Sequence, residues 1–218
     1  MLHCNIISTD YSRQMLGASS FHNAYREAVT VAGGIRLGMR MIQPADKQKL
    51  ADSFQRLSME SRYLRFFSPK NALSPAELSF FTECDGVNHV AIGAFELTPA
   101  GTEGALVGVA RFIRFQENAE VAEFSLAVVD DRQGMGIGRL LLEHLLALAV
   151  ESGIKHFHGY LLPENHRVRQ LLSHVCKEAT FHHEGSMVTV KLPVLDLAAN
   201  MTLLAQPGLL SSCGRLLN

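Results

Sequence analysis

A glycine-rich turn is the segment of this sequence best suited to chemistry. Residues 128–141 run VVDDRQGMGIGRLL, so polar residues and glycines stand between an apolar strand and an apolar helix. Gly134, Gly136 and Gly138 allow backbone amides to converge without obstruction by side chains, and the dipole of the following helix adds positive potential. Such a turn is typical of a binding site for an anion, above all a phosphate. A tight connection that binds nothing is the alternative.

The spacing of the glycines distinguishes between phosphate ligands. A nucleoside triphosphate loop requires Gly-Lys-Ser or Gly-Lys-Thr and a dinucleotide loop requires Gly-x-Gly-x-x-Gly, and the turn contains neither. It fits Gln-x-x-Gly-x-Gly, formed by Gln133, Gly136 and Gly138. Between an acidic strand end and an apolar helix, this motif resembles the coenzyme A pyrophosphate loop of the GNAT superfamily of N-acetyltransferases. The resemblance extends over residues 35–192, because the order of elements is also similar.

The resemblance implies acetyl-coenzyme A as co-substrate and no metal ion. The end of the strand before the turn would pair with pantetheine as though pantetheine were an added strand. Asn165 matches a family asparagine that contacts the coenzyme arm, and an ordinary helix cap is an equal alternative. The residues expected to bind the coenzyme are Ala127, Val128, Val129, Gln133, Gly134, Met135, Gly136, Ile137, Gly138, Arg139 and Asn165.

Acetyl transfer to an amine also requires a general base, because a lysine amine with a pKa near 10.4 is protonated at neutral pH. Glu123 lies on the strand that leads into the turn, ten residues before Gln133, and the family places a catalytic glutamate near this point. Apolar neighbours are expected to desolvate this carboxylate in part and raise its pKa. A solvent-facing strand glutamate is the alternative, and Glu120 is the second candidate for the base.

Two features that are usual in the family are missing. Leu172, seven residues after Asn165, takes the place of a tyrosine that protonates the leaving thiolate in many members. The usual Gly-Phe after the same helix is also absent, with Val175-Cys176-Lys177 in its place. Coenzyme A thiolate leaves readily, so catalysis does not depend on the tyrosine. A non-catalytic coenzyme A-binding sensor stays open as an alternative.

Residues 61–67 and 73–78 narrow the choice of acceptor. They resemble the first helices of the acetyltransferase domain of bacterial Pat-type protein lysine acetyltransferases, which implies a protein lysine as acceptor. A small-molecule amine is the alternative, and an enclosed acidic pocket would favour it. In the family these helices form the acceptor wall, so Arg62, Tyr63 and Arg65 would contact the acceptor; solvated helix residues are the structural alternative.

The elements that must position these residues predict an α/β (α+β) fold. Hydrophobic periodicity predicts a mixed, mostly antiparallel sheet of about seven strands flanked by helices. An N-terminal arm over residues 1–34, with a short helix at 21–31, would precede an acetyltransferase domain over 35–193. A C-terminal extension over 194–218 would pack on the domain or against a second copy in a homodimer.

The composition excludes several other classes of protein. The 218 residues, 47% hydrophobic and 19% charged, suffice for one domain with a sizeable core. With 20 basic and 21 acidic residues, nucleic acid is not an expected partner. No apolar run is long enough for a membrane span, and no secretory signal begins the chain, so we expect a cytoplasmic protein with its four cysteines reduced. The histidine pairs His156/His158 and His182/His183 lack the spacing of a metal site.

Overall fold

The computed structural model describes residues 25–194. The expectations for residues 1–24 and 195–218 lie outside the described residues. The strands are β1 (Arg26–Thr30), β2 (Arg36–Met41), β3 (His89–Leu97), β4 (Glu103–Arg114), β5 (Val121–Val128), β6 (His156–Leu161), β7 (Thr180–Glu184) and β8 (Met187–Pro193). The α-helices are α1 (Lys47–Gln55), α2 (Met59–Phe66), α3 (Pro75–Thr82), α4 (Ile137–Glu151) and α5 (His166–Val175).

The strands form one mixed sheet in the order β1-β2-β3-β4-β5-β6-β8-β7. All neighbouring pairs are antiparallel except β5 and β6, which are parallel. The predicted α/β fold with a mostly antiparallel sheet flanked by helices is confirmed, with eight strands in the described part of the chain. None of the helices in residues 25–194 has the length and apolar composition needed to cross a membrane.

The additional strand, β1, lies in the segment that the sequence analysis assigns to an N-terminal arm. The short helix expected over 21–31 is wrong for the residues of β1, which pair antiparallel with β2. Val29 stands opposite Leu37 and is buried in the core. The sheet edge overrides the local sequence here, because β2 supplies hydrogen-bond partners and an apolar surface that so short a helix lacks.

Both faces of the sheet are packed. Helix α4 covers one face, and its approach to β4 is close: a Cβ added to Gly108 would lie 2.7 Å from Leu141 Cδ1. A smaller cluster on the other face includes Phe95 and Val109, with Leu50 of α1 packed against it. The sheet is therefore a layer between helices, and its central strands carry side chains to both sides.

Helices α2 and α3 begin with serine caps that the sequence encodes. Ser74 Oγ accepts from the backbone amide of Glu77, whose carboxylate accepts from the amide of Ser74, as the predicted capping box requires. Ser58 Oγ accepts from the amide of Ser61 at the start of α2. These caps fix where the two helices begin and so how their side chains meet the sheet.

A buried ion pair ties β2 to the start of α1. Arg40 is 4% exposed and Asp46 is 3% exposed, and two hydrogen bonds of 2.7 Å join them. Glu103 of β4 accepts from Arg40 Nε at 2.9 Å. Burial alone would raise the pKa of Asp46, but the Arg40 guanidinium outweighs it and holds this pKa below its usual range. The carboxylate therefore stays charged at neutral pH.

Asp46→Asn removes the charge that compensates Arg40. We expect a loss of about 3 kcal/mol in the free energy of unfolding at pH 7, because a buried guanidinium then keeps only Glu103 as counter-charge. Urea denaturation measures the loss. Because the pKa of Asp46 is lowered by folding, its contribution is present above about pH 4 and disappears as the pH falls further. Lys155→Met, which removes an exposed ion pair with Glu120, should cost less than about 1 kcal/mol. Equal losses in Asp46→Asn and Lys155→Met would contradict the role of Asp46 as the counter-charge of a buried arginine.

Candidate active site

Strands β5 and β6 part after a very short parallel pairing. Val121, Ala122 and Glu123 pair with residues 156–158, and no pairing between these strands follows among the described residues. At the point of separation the ring of Phe124 lies over Gly159, where an added Cβ would be 2.6 Å from Phe124 Cε1. Beyond Glu123, β5 stays paired with β4, but its other side faces a gap in the sheet rather than β6.

The glycine-rich turn follows β5 at the open end of this gap. Gly134 and Gly136 have φ values of 77° and 86°, a conformation that L-residues avoid. The space where a Cβ would stand is empty to 4 Å at both positions. Gly136 is the N-cap of α4, and no side chain caps this helix. The amides of its first turn are therefore free to bind an anion.

Gln133 and Asn165 make contacts within the protein. Gln133 Nε2 donates to the backbone oxygen of Val128 at 3.1 Å, and its Oε1 accepts from Arg167 at 2.5 Å. Gln133 thus fastens the turn to the strand before it and to α5. Asn165 is buried and caps α5, its Oδ1 accepting from the amide of Val168 at 3.3 Å. The cap is observed, while a contact from Asn165 to the coenzyme stays a prediction.

The side chains of the other residues predicted to bind the coenzyme differ in their exposure to solvent. Ile137 is buried in the core, so only its backbone is available to a ligand. Met135 is half-buried against the same core. Arg139 is exposed and pairs with Glu143 at 2.7 Å. Arg167, which the sequence analysis missed, is exposed beside the turn, and its position two residues after Asn165 was the only available signal.

Glu123 occupies the point where the two strands separate. It is the last residue of β5 to pair with β6, opposite His158. Its neighbours Ala122 and Phe124 are buried, but they point to the opposite face, which leaves Glu123 exposed. The desolvation expected from the sequence is thus not provided by these neighbours. Glu120 lies at the closed end, where its carboxylate pairs with Lys155 at 2.5 Å.

A cavity of about 50 Å³ lies on the face of the sheet that α1, α2 and α3 cover. Its walls are largely apolar, but Arg65 of α2 and Arg111 of β4 also line it, and we call it the arginine cavity. Arg65 donates to Ser125 Oγ at 2.8 Å. Arg111 was missed, because an isolated arginine in a strand pattern gives no sign of burial. Of the predicted acceptor wall, Arg65 lines this cavity and Tyr63 is exposed to solvent.

Arg62 instead faces the neighbouring loops. It donates to the Gln55 side chain and to the backbone oxygen of Asn71. Within residues 25–194, no three His, Cys, Asp or Glu side chains are grouped as metal ligands.

Comparison with known proteins agrees with this architecture. The sequence pattern of the acetyltransferase (GNAT) family matches residues 56–176, which include the separating strands, the turn and α4. The chain therefore belongs to the acetyltransferase (GNAT) family. This family comprises N-acetyltransferases that use acetyl-coenzyme A.

Within the family, the chain is similar to proteins of the Pat type. It is 30% identical to the acetyltransferase Pat of Mycolicibacterium smegmatis over 169 residues, which cover 77% of this chain and 49% of that protein. The structure resembles the GNAT domain of S. lividans PAT with a TM-score of 0.70 and 27% identity, covering 80% of this chain and 99% of that one. It also resembles a cAMP-binding acyltransferase from Mycobacterium smegmatis with a TM-score of 0.56 and 25% identity, covering 90% and 56%. The chain thus spans about half the length of the M. smegmatis relatives.

Two glycines of the turn, Gly136 and Gly138, differ in backbone conformation, so their replacement by alanine should have different effects on stability. Gly136→Ala places a side chain at φ 86° and should cost about 1–2 kcal/mol of stability. Gly138→Ala should be nearly neutral, because Gly138 lies in the first turn of α4 and its added Cβ would stand 3.5 Å from Leu171 Cδ2, an ordinary contact. Urea denaturation of both variants measures the difference, and equal costs would contradict the left-handed conformation at Gly136.

Proposed function

We propose that this chain transfers the acetyl group of acetyl-coenzyme A to the side-chain amine of a protein lysine. The observation that carries the proposal is the position of Glu123, an exposed carboxylate at the separation of β5 and β6 and on the strand that leads into the glycine-rich turn. Similarity to Pat-type proteins supports a protein lysine as acceptor.

The residues around the gap fit acetyl-coenzyme A, which supplies an acetyl thioester. The free amides from Gly134 to Arg139 would hold the pyrophosphate, since the uncapped start of α4 favours negative charge. From Ala127 to Val129 the backbone pairs with β4 on one side only, and its other side would hydrogen-bond pantetheine in the way that an edge strand pairs with an added strand. Gln133 and Arg167 would keep the turn in place.

Glu123 is the general base in this proposal. A lysine ammonium must lose a proton before it can attack, and the Glu123 carboxylate takes it. The amine nitrogen attacks the thioester carbonyl carbon; the new C–N bond forms and the C–S bond breaks. As the C–S bond breaks, the nitrogen loses its second proton to water, and the departing coenzyme A thiolate takes a proton from water, because Leu172 has no acidic group. The products are an acetylated lysine and coenzyme A.

The alternatives are less well supported by the geometry. A coenzyme A-binding sensor does not need a carboxylate at the separation of the strands, where Glu123 lies. A cationic small-molecule amine such as a polyamine would be favoured by an acidic pocket, but the arginine cavity is lined by two arginines. We therefore retain the protein lysine as the proposed acceptor.

Glu123→Gln tests the assignment of the base. We expect thiol release from acetyl-coenzyme A in the presence of a lysine-containing acyl-coenzyme A synthetase to fall by about a hundredfold or more, since general-base catalysis is typically worth 10²–10⁴. The dissociation constant of coenzyme A, measured by titration calorimetry, should change little. Glu117→Gln, at an exposed loop position, is the matched control with unchanged activity.

Other outcomes would contradict parts of this proposal. A loss of activity in Glu120→Gln but not in Glu123→Gln would assign the base to Glu120. Tight coenzyme A binding without turnover on proteins or small amines would favour the sensor. Failure to bind coenzyme A would refute the interpretation of the turn.

A further inference from the structure

Arg65 and Arg111 place two positive charges in the arginine cavity beside a single carboxylate, that of Glu123, which acts on Arg65 without forming an ion pair with it. Neither guanidinium has an Asp or Glu oxygen within 4 Å among the described residues. Arginine is rarely buried unless it is paired, because desolvation of an uncompensated charge is costly. Arg40, which is as buried as Arg111, has both Asp46 and Glu103. The buried Arg111 and the half-buried Arg65 therefore differ from Arg40, because neither has an ion pair among the described residues.

The groups that contact Arg111 directly are neutral, and the Arg65 guanidinium repels its charge. Arg111 is 5% exposed, and its Nη1 donates to the backbone oxygen of Phe81 at 3.1 Å and contacts His89 Nε2 at 3.0 Å. Burial and the charge of Arg111 lower the pKa of His89 to about 4, so the imidazole is neutral and accepts this hydrogen bond. Burial raises the pKa of the Cys84 thiol, so it supplies no anion. Burial lowers the pKa of Arg111 to about 10, which leaves it charged at neutral pH.

Arg65 completes the positive wall close to the proposed base. It donates to Ser125 Oγ at 2.8 Å, and Ser125 stands directly opposite Arg111 in the β4–β5 pairing. Ser125 follows Glu123 by two residues, about 7 Å along the strand and on the same face. The positive wall thus adjoins both the proposed base and the part of β5 that leads toward the turn.

We propose that Arg65 and Arg111 form a subsite for a carboxylate that one of the two reactants carries near its reacting atoms. The inference rests on the proposed acyl transfer and goes beyond it, because it requires a donor or an acceptor that carries a carboxylate. An acetyl group and a lysine ammonium bring no negative charge, so neither compensates the two guanidinium ions. A carboxylate does, because arginine donates to it in a planar, bidentate geometry.

Two sources supply the same carboxylate chemistry. The first is the distal carboxylate of a dicarboxylic acyl thioester, such as succinyl-coenzyme A. The second is a carboxylate next to the amine of the acceptor, as in a free amino acid. In both cases the amine attacks the thioester carbonyl, Glu123 takes the amine proton and coenzyme A departs as thiolate, while the bound carboxylate is unchanged.

The test compares ligands that differ only in the carboxylate. Succinyl-coenzyme A is paired with butyryl-coenzyme A as donor, and leucine is paired with leucinamide as acceptor. Dissociation constants come from titration calorimetry, with coenzyme A present for the acceptor pair, and kcat/KM comes from thiol release. The wild type should prefer the carboxylate ligand of one pair at least tenfold in both measurements.

Arg65→Met and Arg111→Met should reduce that preference at least tenfold. Arg114→Met is the matched control. Arg114 lies on the same strand as Arg111 but donates to backbone oxygens of Ala119 and Ser152. The preference for the carboxylate ligand should therefore not change in this variant. Circular dichroism verifies folding, and if Arg111→Met does not fold, Arg65 on its surface helix decides the question. If the two arginines had only a structural role, their substitution would weaken the binding of both ligands of a pair equally.

Each outcome is decisive. An effect on the donor pair assigns the carboxylate to the acyl group, and an effect on the acceptor pair assigns it to the acceptor. If the wild type prefers neither carboxylate ligand, or if both variants keep the preference, the subsite is refuted. If the carboxylate preference is present in binding but neither these pairs nor acetyl-coenzyme A with the lysine-containing synthetase release thiol, the subsite stands and the proposed acyl transfer fails.

Discussion

The short pairing of β5 with β6 is the constraint on which the site depends. Only three residue pairs join these strands before they separate. The bare backbone of Gly159 accepts the ring of Phe124, which also stacks on Phe157 with ring centroids 5.4 Å apart. Any larger residue at Gly159 would collide with this ring. An aromatic stack in the core and a glycine opposite it thus coincide with an opening in an otherwise continuous sheet.

The glycine-rich turn is held at that opening by packing on its far side. Ile137, the first residue of α4, is buried, and Leu141 approaches β4 closely over Gly108. Helix α4 is therefore fixed against the sheet, and its uncapped amides are held in place before any ligand arrives. Preorganised amides lose little freedom on binding an anion, which is the physical advantage of building the site on a packed helix rather than on a loop.

Buried arginines serve two different purposes in this fold. Arg40 is neutralised by Asp46 and Glu103 and joins β2, β4 and the start of α1. Arg65 and Arg111 face a cavity beside the proposed base, and the groups that they hydrogen-bond among the described residues are neutral. The first arrangement has its ion pairs within the described residues, whereas the second sets two guanidinium ions beside the single carboxylate of Glu123, and a reactant is the natural source of another.

Local patterns in the sequence determined the helices, the central strands, the capping box at Ser74 and the glycine-rich turn, because each depends on residues close together in the chain. The resemblance to the family came from the spacing of Gln133, Gly136 and Gly138 together with the flanking strand and helix and the order of elements, and the family match over residues 56–176 showed membership. Only the tertiary structure decided that residues 26–30 join the sheet, since an edge strand takes its hydrogen bonds from a distant neighbour. The arginine cavity was also decided only by the tertiary structure. Its surface is created jointly by α2, β4 and β5, so no spacing within one segment encodes the burial of its arginines or the shortage of carboxylates beside them.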